Sequence, residues 1–255
     1  MLLAIDVGNT DTVLGVFDGD RLVVDFRIHT EPRATGAEVG LLFTSLLRSA
    51  ALEPEAISAV AISNVVPELS RSLDEMARRR FGQAPLVVGP GVRTGIRIHY
   101  EDPSLVGADR IANAIAAQHL YGGPAIICDF GTATTVDAID AAGDYLGGAV
   151  APGLMVSHDA LVERAARLSH IDLAAPGSVL GRNPRASMQA GLVLGYASLA
   201  EGLVARMRQE MDGDPKLILT GGLAPLMSEL ISSVHITDER LTLVGLRLIH
   251  ELNAT

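Results

Sequence analysis

The chain has 255 residues, of which 48% are hydrophobic, so it is long enough to bury one large apolar core or two smaller ones. Its formal charge of −10 argues against a nucleic-acid partner, because contact with a phosphate backbone requires a basic surface. The single cysteine excludes an intramolecular disulfide, and we expect a cytoplasmic protein without a membrane partner, since we find neither a basic leader nor an apolar run near the roughly 20 residues that span a bilayer.

The first half opens with three apolar runs, near residues 2–7, 12–17 and 21–28, which predict a meander of three strands joined by short turns. Beyond them, helical and strand-like patterns alternate, which predicts strands connected by helices and hence a largely parallel remainder. These later elements are a helix near 36–50, a strand at 59–63, a helix near 67–80, a strand at 86–88 and a helix at 107–120.

The pattern restarts after residue 124. Strand-like runs lie near 125–129, 134–139 and 145–150, and a buried strand is predicted at 216–220. Helical patterns lie near 153–167, 186–211, 224–232 and 240–252. We therefore predict an α/β protein of two lobes, residues 1–115 and 116–255, with a cleft between them.

One short sequence motif, called here the repeated phrase, occurs once in each half of the chain. Residues 5–13 read Ile-Asp-Val-Gly-Asn-Thr-Asp-Thr-Val, and residues 128–136 read Cys-Asp-Phe-Gly-Thr-Ala-Thr-Thr-Val. Aspartate, glycine, threonine and valine recur at one constant offset, which is close to half the chain length. In each copy an apolar run leads into a tight turn and a second strand, so we predict two lobes related by duplication.

Each of these turns has the chemistry of a phosphate site. Successive backbone N–H groups and a glycine let phosphate oxygens approach closely, and hydroxyl side chains add donors. Two such turns facing each other would hold a polyphosphate. The polar residues that fit this role are Asn9, Thr10, Asp11 and Thr12 in the first copy and Thr132, Thr134 and Thr135 in the second.

Asp6 and Asp129 end the apolar runs that precede the two turns. A buried carboxylate is costly unless something pairs with it, and a cation is the obvious partner. The alternative is that each aspartate only caps its own turn, but the recurrence of the whole phrase favours a shared function.

Asp109 and Arg110 begin a predicted helix. A carboxylate at this position can accept a proton from a substrate hydroxyl, and a guanidinium can hold a substrate carboxylate through two hydrogen bonds. The helix start and the neighbouring Arg110 favour the charged form of Asp109. The simpler interpretation is that Asp109 only complements the helix dipole.

Glycine pairs mark two further turns. Gly221-Gly222 ends a strand before a helix, where a nucleotide ring or ribose often lies in α/β proteins, and Gly147-Gly148 precedes Ala151-Pro152-Gly153. A plain turn or a bulge would have the same composition. The three histidines His119, His158 and His170 lack metal-ligand spacing, so we expect surface or satisfied core positions for them.

With these motifs assembled, the chain resembles the type III pantothenate kinases of the sugar kinase, actin and Hsp70 superfamily over nearly its whole length. The motifs that carry the resemblance, in family order, are Asp6-Val7-Gly8-Asn9-Thr10, Gly107-Ala108-Asp109-Arg110, Asp129-Phe130-Gly131-Thr132-Ala133-Thr134-Thr135, Gly147-Gly148-Ala149-Val150-Ala151-Pro152-Gly153 and Thr220-Gly221-Gly222. The resemblance implies two duplicated actin-like (ribonuclease H-like) lobes, with mixed sheets flanked by helices. It also implies ATP-dependent phosphorylation of pantothenate to 4'-phosphopantothenate, the first step of coenzyme A biosynthesis.

The resemblance also implies roles for individual residues. Asp109 would be the general base, and Tyr100 would bind pantothenate together with Gly107, Ala108, Asp109 and Arg110. Asp129 would help bind a monovalent cation, potassium or ammonium, and Asp6 would lie near the magnesium that accompanies ATP. Contacts with ATP would come from Asp6, Val7, Gly8, Asn9, Thr10, Asp11, Thr12, Val13 and Thr132. Family members are cytoplasmic and usually homodimers.

Pro184 departs from the family pattern. The chain reads Gly181-Arg182-Asn183-Pro184 where the family usually has Gly-Lys-Asn-Thr, and that threonine is expected to touch pantothenate. Proline lacks both the hydroxyl and a backbone N–H, so we expect weaker substrate affinity rather than an inactive enzyme. Two alternatives stay open: a nucleotide-binding regulatory homologue without catalysis, and a kinase of another small hydroxyl compound.

Overall fold

The computed structural model describes residues 1–254. Its contacts divide the chain into two compact units. The first unit contains residues 1–95, residues 102–116 and the C-terminal residues from Thr242 onward, and the second unit contains residues 96–101 and 117–241. These units differ from the two halves of the sequence in two respects. Residues 96–101 belong to the second unit, and the last helix of the chain belongs to the first.

The helices and strands follow the predicted order, and one short strand at 236–237 is additional. They are β1 (Leu2–Val7), β2 (Asp11–Asp18), β3 (Arg21–His29), α1 (Gly36–Ser49), β4 (Ala59–Asn64), α2 (Ser70–Phe81), β5 (Leu86–Val87), α3 (Ala108–Tyr121), β6 (Ala125–Phe130), β7 (Ala133–Ile139), β8 (Tyr145–Pro152), α4 (Leu154–Arg164), α5 (Pro184–Gln189), α6 (Gly195–Glu210), β9 (Lys216–Thr220), α7 (Ala224–Ser228), β10 (Ile236–Thr237) and α8 (Leu241–Asn253). Short 3-10 helices occur at 54–56, 67–69 and 103–105, and a π-helical turn at 190–194 joins α5 to α6.

The first unit contains a five-stranded sheet of order β3-β2-β1-β4-β5. The first three strands form the predicted antiparallel meander, and β4 and β5 extend the sheet in parallel. One face of this sheet is strongly apolar, because alternate residues of β1, including Leu3, Ile5 and Val7, point to the same side. These side chains are buried in one core with Phe43 of α1 and Met76 of α2. The end of β1 is thereby fixed, and with it the start of the first repeated turn.

Local signals in the sequence fix where α1 begins. The Thr35 side chain accepts a hydrogen bond from the Glu38 N–H, and the Glu38 carboxylate accepts one from the Thr35 N–H at 2.8 Å. This reciprocal pair satisfies backbone donors at the helix start that have no partner within the helix. The bond from the Thr35 N–H, together with a second bond from the Thr35 hydroxyl to the same carboxylate at 2.8 Å, holds the pKa of Glu38 below its usual range.

The second unit repeats this arrangement with a sheet of order β10-β9-β6-β7-β8. Strands β6, β7 and β8 form an antiparallel meander, and β9 and β10 extend the sheet in parallel. The first strand of each meander is central in its sheet, and each sheet adds two parallel strands on the far side of it. The predicted α/β class with duplicated mixed sheets and flanking helices is confirmed.

Helix α8 completes the first unit. The position of Gly245 leaves no room for a side chain, because a Cβ atom there would overlap the Ala112 carbonyl oxygen and lie 2.7 Å from the Ala112 Cα. The Thr242 hydroxyl donates to the Asn113 side chain at 2.7 Å, and Asn253 donates to the Arg93 carbonyl at 2.8 Å. Close backbone approach and hydrogen bonds therefore hold the end of the chain in the unit formed mainly by its beginning.

The helix predicted near 186–211 is continuous over residues 184–210 and more apolar than the sequence analysis anticipated. This 27-residue helix contains an 18-residue stretch with a mean hydropathy of 1.2. By length and composition it could cross a membrane. Its face carrying Val193, Ala197, Ala200 and Val204 is buried in the core of the second unit. One face of the helix therefore packs in the core, and the expectation that the chain holds no such stretch was wrong.

Candidate functional site

The first repeated turn connects β1 and β2 at residues 8–10. The Gly8 N–H donates to the Asp11 carbonyl at 3.0 Å, and a Cβ at position 8 would lie 2.9 Å from that same oxygen. Only glycine fits this turn without a shift of the backbone. Asn9 and Thr10 are exposed at its tip, where a bound anion could reach their polar groups.

Thr12 does not point its hydroxyl into the turn as a donor. It is buried, with 5% exposure, and its Oγ1 lies 2.8 Å from the Thr30 Oγ1. The Thr30 hydroxyl donates to the Gly8 carbonyl at 2.7 Å, so the proton between the two threonines must come from Thr12. Thr30 also donates its backbone N–H to the Thr10 carbonyl at 2.8 Å. Thr30 thus supports the turn from the end of β3, a role that the repeat did not reveal.

Asp11 is engaged by basic neighbours on β3. Its Oδ2 lies 3.3 Å from the Arg27 Nη1, and its Oδ1 lies 3.5 Å from the His29 Nδ1. Such half-exposed pairs contribute little to stability, but they orient the carboxylate. Arg27 and His29 therefore lie beside the first turn.

Asp6 and Asp129 occupy matching places in the two sheets. Asp6 faces Val13 on β2 and Ser63 on β4, and Asp129 faces Thr135 on β7 and Thr220 on β9. Each is half-buried at the end of the central strand. The two carboxylates therefore occupy the same place in their central strands, although the antiparallel partner of Asp129 is Thr135 and not Val136, the residue that corresponds to Val13.

The two turns are not the same length. Thr12 pairs with Val7, whereas the residue that pairs with Phe130 is Thr134, not Thr135. The second turn is thus one residue tighter than the sequence repeat suggests. Thr134 and Thr135 are both buried in β7, and Thr135 donates to Asp137 at 3.1 Å. Their predicted role as phosphate donors stays a prediction.

Thr132 remains accessible at the tip of the second turn, where it is half-buried. The Gly131 N–H donates to the Ala133 carbonyl at 3.1 Å, and the Gly153 N–H donates to the Thr132 carbonyl at 3.0 Å. A Cβ at position 153 would overlap the Thr132 carbonyl oxygen and lie 2.5 Å from the Gly131 carbonyl oxygen. The Pro152-Gly153 motif therefore serves a close backbone approach to the turn.

Gly221 flanks the same turn from the end of β9. It has a φ of +87°, and a Cβ there would overlap the Asp129 Oδ1 and lie 2.7 Å from the Phe130 N. Both the backbone conformation and the space therefore require glycine. Gly153 and Gly221, which belong to the two glycine motifs of the sequence, therefore pack against the Asp129 carboxylate and the turn after it.

The donors at Asp129 suit a hard cation. A carboxylate beside the backbone carbonyls of a tight turn offers only oxygen ligands, which magnesium and alkali ions prefer over soft metals. The Asp6 carboxylate is also an oxygen donor of this class. Both positions fit the ions that the resemblance implies.

Gly107 to Arg110 form the start of α3 in the first unit. The Asp109 Oδ1 accepts a hydrogen bond from the Arg110 N–H at 2.8 Å, and a Cβ at position 107 would overlap that carboxylate oxygen. The carboxylate is therefore folded back over the helix start. Arg110 is only 9% exposed, so its guanidinium is held within the unit and can reach a ligand only at a confined surface.

Tyr100 lies in the segment that belongs to the second unit and is 40% exposed. The adjacent backbone is tied to β8, since the His99 N–H donates to the Tyr145 carbonyl at 2.8 Å and the Tyr145 N–H donates to the Arg97 carbonyl at 2.9 Å. An exposed phenol on such a fixed segment can bind a substrate.

Pro184 occupies the first position of α5. The Asn183 side chain caps the helix by accepting from the Ala186 N–H at 2.9 Å. Proline is favoured at this position because the missing N–H has no partner within the helix and the ring fixes a helical φ. The departure from the family pattern is therefore compatible with the local fold, while the hydroxyl is still missing.

His158, Asp159 and His170 come together in the second unit, although their spacing along the chain is not that of metal ligands. The His158 Nδ1 lies 2.9 Å from the Asp159 Oδ1, and the His170 Nδ1 lies 3.8 Å from the same oxygen. The His158 Nε2 accepts from the Ile171 N–H at 3.2 Å, so its Nδ1 carries the proton and donates to Asp159. Metal on Nδ1 would move that proton to Nε2 and break the bond to Ile171. His158 is thus a satisfied buried histidine.

A cavity of about 460 Å³ lies in the first unit beside the buried Thr12. Its lining is mostly apolar and includes Val7, Ile28 and Phe43, with charged residues such as Arg33 among the others. An apolar lining does not replace the hydration of a triphosphate. The exposed tip of the turn is the better place for phosphate.

Comparisons with known proteins agree with this geometry. The family model described as type III pantothenate kinase matches residues 2–206. The chain is 49% identical over 253 residues to the type III pantothenate kinase of Anaeromyxobacter sp. (strain K), covering 99% of this chain and 100% of the relative. It is 47% identical over 253 residues to the enzyme of that name from Moorella thermoacetica, with the same coverage.

A solved structure shows the same fold at low sequence identity. It is the activator of 2-hydroxyisocaproyl-CoA dehydratase from Clostridium difficile with bound ADPNP, and the match covers 99% of this chain and 96% of that chain at a TM-score of 0.60 and 14% identity. Its likeness bears on the fold alone, which is the duplicated actin-like α/β architecture. The full-length relatives and the family match decide the assignment, and the chain belongs to the type III pantothenate kinase family.

Proposed function

We propose that this protein transfers the γ-phosphoryl group of ATP to the primary hydroxyl of pantothenate, the first step of coenzyme A biosynthesis. The observation that carries the proposal is the identity of 47–49% over almost the full length to enzymes of that name. The geometry supports it, because phosphoryl transfer mainly requires positioned donors and charge neutralisation. Two glycine turns offer the donors, and the carboxylates beside them would hold the cations that neutralise charge.

ATP is bound by residues 6–13 and by Thr132 in this proposal. The exposed residues Asn9 and Thr10 and the backbone N–H groups of the first turn contact the phosphates. Thr12 contributes indirectly, since its hydroxyl proton is already donated to Thr30. Val7 and Val13 flank the turn through their backbone groups.

Two ions accompany the nucleotide. Asp129 would hold a monovalent cation, potassium or ammonium, and Asp6 would lie near magnesium. When bound, these ions neutralise phosphate charge. Gly221 packs against the Asp129 carboxylate, so the protein fixes the position of this donor before any ligand arrives.

Asp109 acts as the general base. Its carboxylate accepts the proton of the pantothenate hydroxyl, the hydroxyl oxygen forms a bond to the γ-phosphorus, and the bond from that phosphorus to the bridging oxygen breaks to release ADP. The Arg110 N–H holds one carboxylate oxygen at 2.8 Å and so orients the base.

Pantothenate is held by Tyr100 and by residues 107–110. The Arg110 guanidinium suits the substrate carboxylate, since a confined guanidinium can bind such a group through two parallel hydrogen bonds. The Tyr100 ring offers an exposed polar and apolar surface for the rest of the molecule.

We further propose that the protein is a cytoplasmic homodimer. Exposed apolar side chains on β8 and α4 support an interface, and they include Leu146, Val150, Met155 and Val156. The chain mass is 26.7 kDa, so light scattering should give twice that value in solution. A single-chain mass at micromolar concentration would contradict the dimer.

The activity is tested by measuring ADP release with components left out in turn. We expect turnover only when ATP, magnesium, pantothenate and a potassium or ammonium salt are all present. Sodium replaces potassium in the control. Calorimetric nucleotide binding without phosphorylated product would instead favour a regulatory homologue, and turnover with a different alcohol alone would favour another kinase.

The base is tested by Asp109→Asn, which keeps the shape of the side chain. We expect kcat to fall at least about 100-fold, in line with the contribution of a positioned general base. The circular dichroism spectrum and ATP binding should be unchanged. Asp102→Asn, just before the 3-10 helix at 103–105, is the matched control, and near-normal turnover by Asp109→Asn would remove the assigned role.

A further inference from the structure

The hydroxyl of Tyr196 lies at a junction behind the second turn. Tyr196 is the second residue of α6, which begins after the π-helical turn at 190–194. Its Oη lies 2.9 Å from the Pro152 carbonyl and 3.3 Å from the Gly153 carbonyl, and it also contacts the Ser157 hydroxyl. Neither the repeated motif nor the family resemblance singles out this tyrosine.

The directions of these hydrogen bonds follow from proton counting. A carbonyl oxygen cannot donate, so the single Tyr196 proton goes to the carbonyl side, with Pro152 as the nearer acceptor. The Ser157 hydroxyl must then donate its own proton to the Tyr196 oxygen. The result is one ordered relay from Ser157 through Tyr196 to the Pro152 carbonyl.

The same peptide group connects this relay to the turn. The Pro152 carbonyl and the Gly153 N–H belong to one planar amide, and that N–H donates to the Thr132 carbonyl at 3.0 Å. Rotation of the amide plane would weaken both bonds at once. A hydrogen bond to the carbonyl also polarises the amide and strengthens its N–H as a donor.

The Gly153 and Thr132 backbones are closely packed. A Cβ at position 153 would overlap the Thr132 carbonyl oxygen, which shows how closely the two backbones approach. Displacement of the Pro152-Gly153 peptide therefore moves the Thr132 backbone directly. The π-helical turn before α6 is of a kind often found at functional sites.

We propose that Tyr196 is a positioning residue that fixes the Pro152-Gly153 peptide and, through it, the nucleotide-binding turn at Thr132. The inference rests on the proposed role of Thr132 in ATP binding. Tyr196 itself touches neither the substrate nor the reacting atoms. Its contribution is to hold the turn in the binding conformation before ATP arrives, which lowers the ordering cost of binding.

The test is Tyr196→Phe, which removes the hydroxyl and keeps the ring. We expect KM for ATP to rise about threefold to tenfold, the range for one lost hydrogen bond, with KM for pantothenate unchanged. Ser157→Ala should give a smaller rise, since the bond from Tyr196 to Pro152 survives. A purely structural role would lower the melting temperature and would not separate the two KM values.

Tyr121→Phe is the matched control, because its hydroxyl donates to Asp238 at 2.8 Å elsewhere in the second unit. It should leave both KM values unchanged. Thr132→Ala, measured in parallel, separates the two claims. A higher KM for ATP in Thr132→Ala with none in Tyr196→Phe overturns the positioning role alone. If neither variant changes KM for ATP, the proposed role of the turn fails as well.

Discussion

At the scale of single residues, hydrogen-bond accounting changes the interpretation of the first turn. The repeated phrase marks Thr12 as a phosphate donor, yet its proton is committed to Thr30, which in turn donates to the Gly8 carbonyl. The polar side chain that matters for the turn shape therefore lies at the end of β3, outside the motif. Thr30 is a supporting residue, and Asn9 and Thr10 are the exposed ones.

This interpretation predicts the effect of Thr30→Val, which keeps the branched shape and removes the hydroxyl. The Gly8 carbonyl and the Thr12 hydroxyl both lose a partner, so we expect a loss of about 1–3 kcal/mol in the free energy of unfolding. KM for ATP should rise while KM for pantothenate stays constant. Urea titration and steady-state kinetics measure both effects.

Thr237→Val, at an exposed position of β10, is the control for the chemistry of the exchange. It should change neither the urea midpoint nor KM for ATP. If Thr30→Val changed the urea midpoint and KM for ATP no more than Thr237→Val does, the Thr30 hydroxyl would not support the turn.

At the scale of elements, the start of α5 explains how the chain tolerates a departure from its family. Asn183 caps the helix and Pro184 occupies its first position, where a missing N–H has no consequence within the helix. The fold of this element is thus independent of the residue at 184. The missing hydroxyl would affect only the proposed contact with pantothenate.

Pro184→Thr should restore that contact. We expect KM for pantothenate to fall several-fold, consistent with about 0.5–1.5 kcal/mol for one hydrogen bond. The free energy of unfolding should fall by about 0.4–1 kcal/mol, because threonine leaves the unfolded chain more freedom than proline does. Steady-state kinetics gives KM for pantothenate, and urea titration of the same preparation gives the free energy of unfolding.

Pro67→Thr makes the same exchange at the first position of the 3-10 helix at 67–69 in the first unit. The free energy of unfolding of Pro67→Thr should also fall, and its KM for pantothenate should be unchanged. An unchanged KM in Pro184→Thr would mean that a neighbour already fills the contact or that the helix start lies away from pantothenate.

At the scale of the whole molecule, the beginning and the end of the chain meet in one compact unit. Helix α8 packs where Gly245 touches the backbone of Ala112, and Leu243 lies against Gly15 of the first meander. The unit that holds the first turn and Asp109 is therefore incomplete until the last residues are made. Its stability depends on contacts far apart in sequence, which slows folding relative to local contacts.

Gly245→Ala tests this dependence. The added methyl group meets backbone atoms of Ala112 that cannot rotate away, so we expect a loss of about 1–3 kcal/mol in the free energy of unfolding. Thermal unfolding should show a clear fall in Tm, together with lower activity at temperatures where the wild type is still folded.

Gly40→Ala is the matched control, as it lies inside α1 of the same unit, where an added methyl group would lie 3.6 Å from its nearest neighbour, the Met76 Cγ. There alanine should be neutral or stabilising by up to about 1 kcal/mol, because glycine is a poor helix former. A stability loss of equal size in both variants would contradict the specific contact at Gly245.

Much of the fold follows from local patterns. Alternating apolar runs, turn residues and the repeated phrase predict two related α/β lobes that each open with a meander, because each strand must bury one face against helices. The structure differs from the prediction in which residues of neighbouring strands pair. The register that matches Thr134 rather than Thr135 to Phe130 depends on the length of the turn, which a sequence offset does not reveal.

The sequence by itself determined the duplicated α/β architecture, the two glycine turns, the paired aspartates and the family, since each of these rests on residue types at fixed spacing. Tertiary structure alone decided which hydroxyls remain accessible, that Thr30 and Tyr196 support the turns, and that the last helix completes the first unit. The reason is physical: a side chain can donate its proton only once, and which neighbour receives it depends on residues that are distant in the chain and adjacent only after folding.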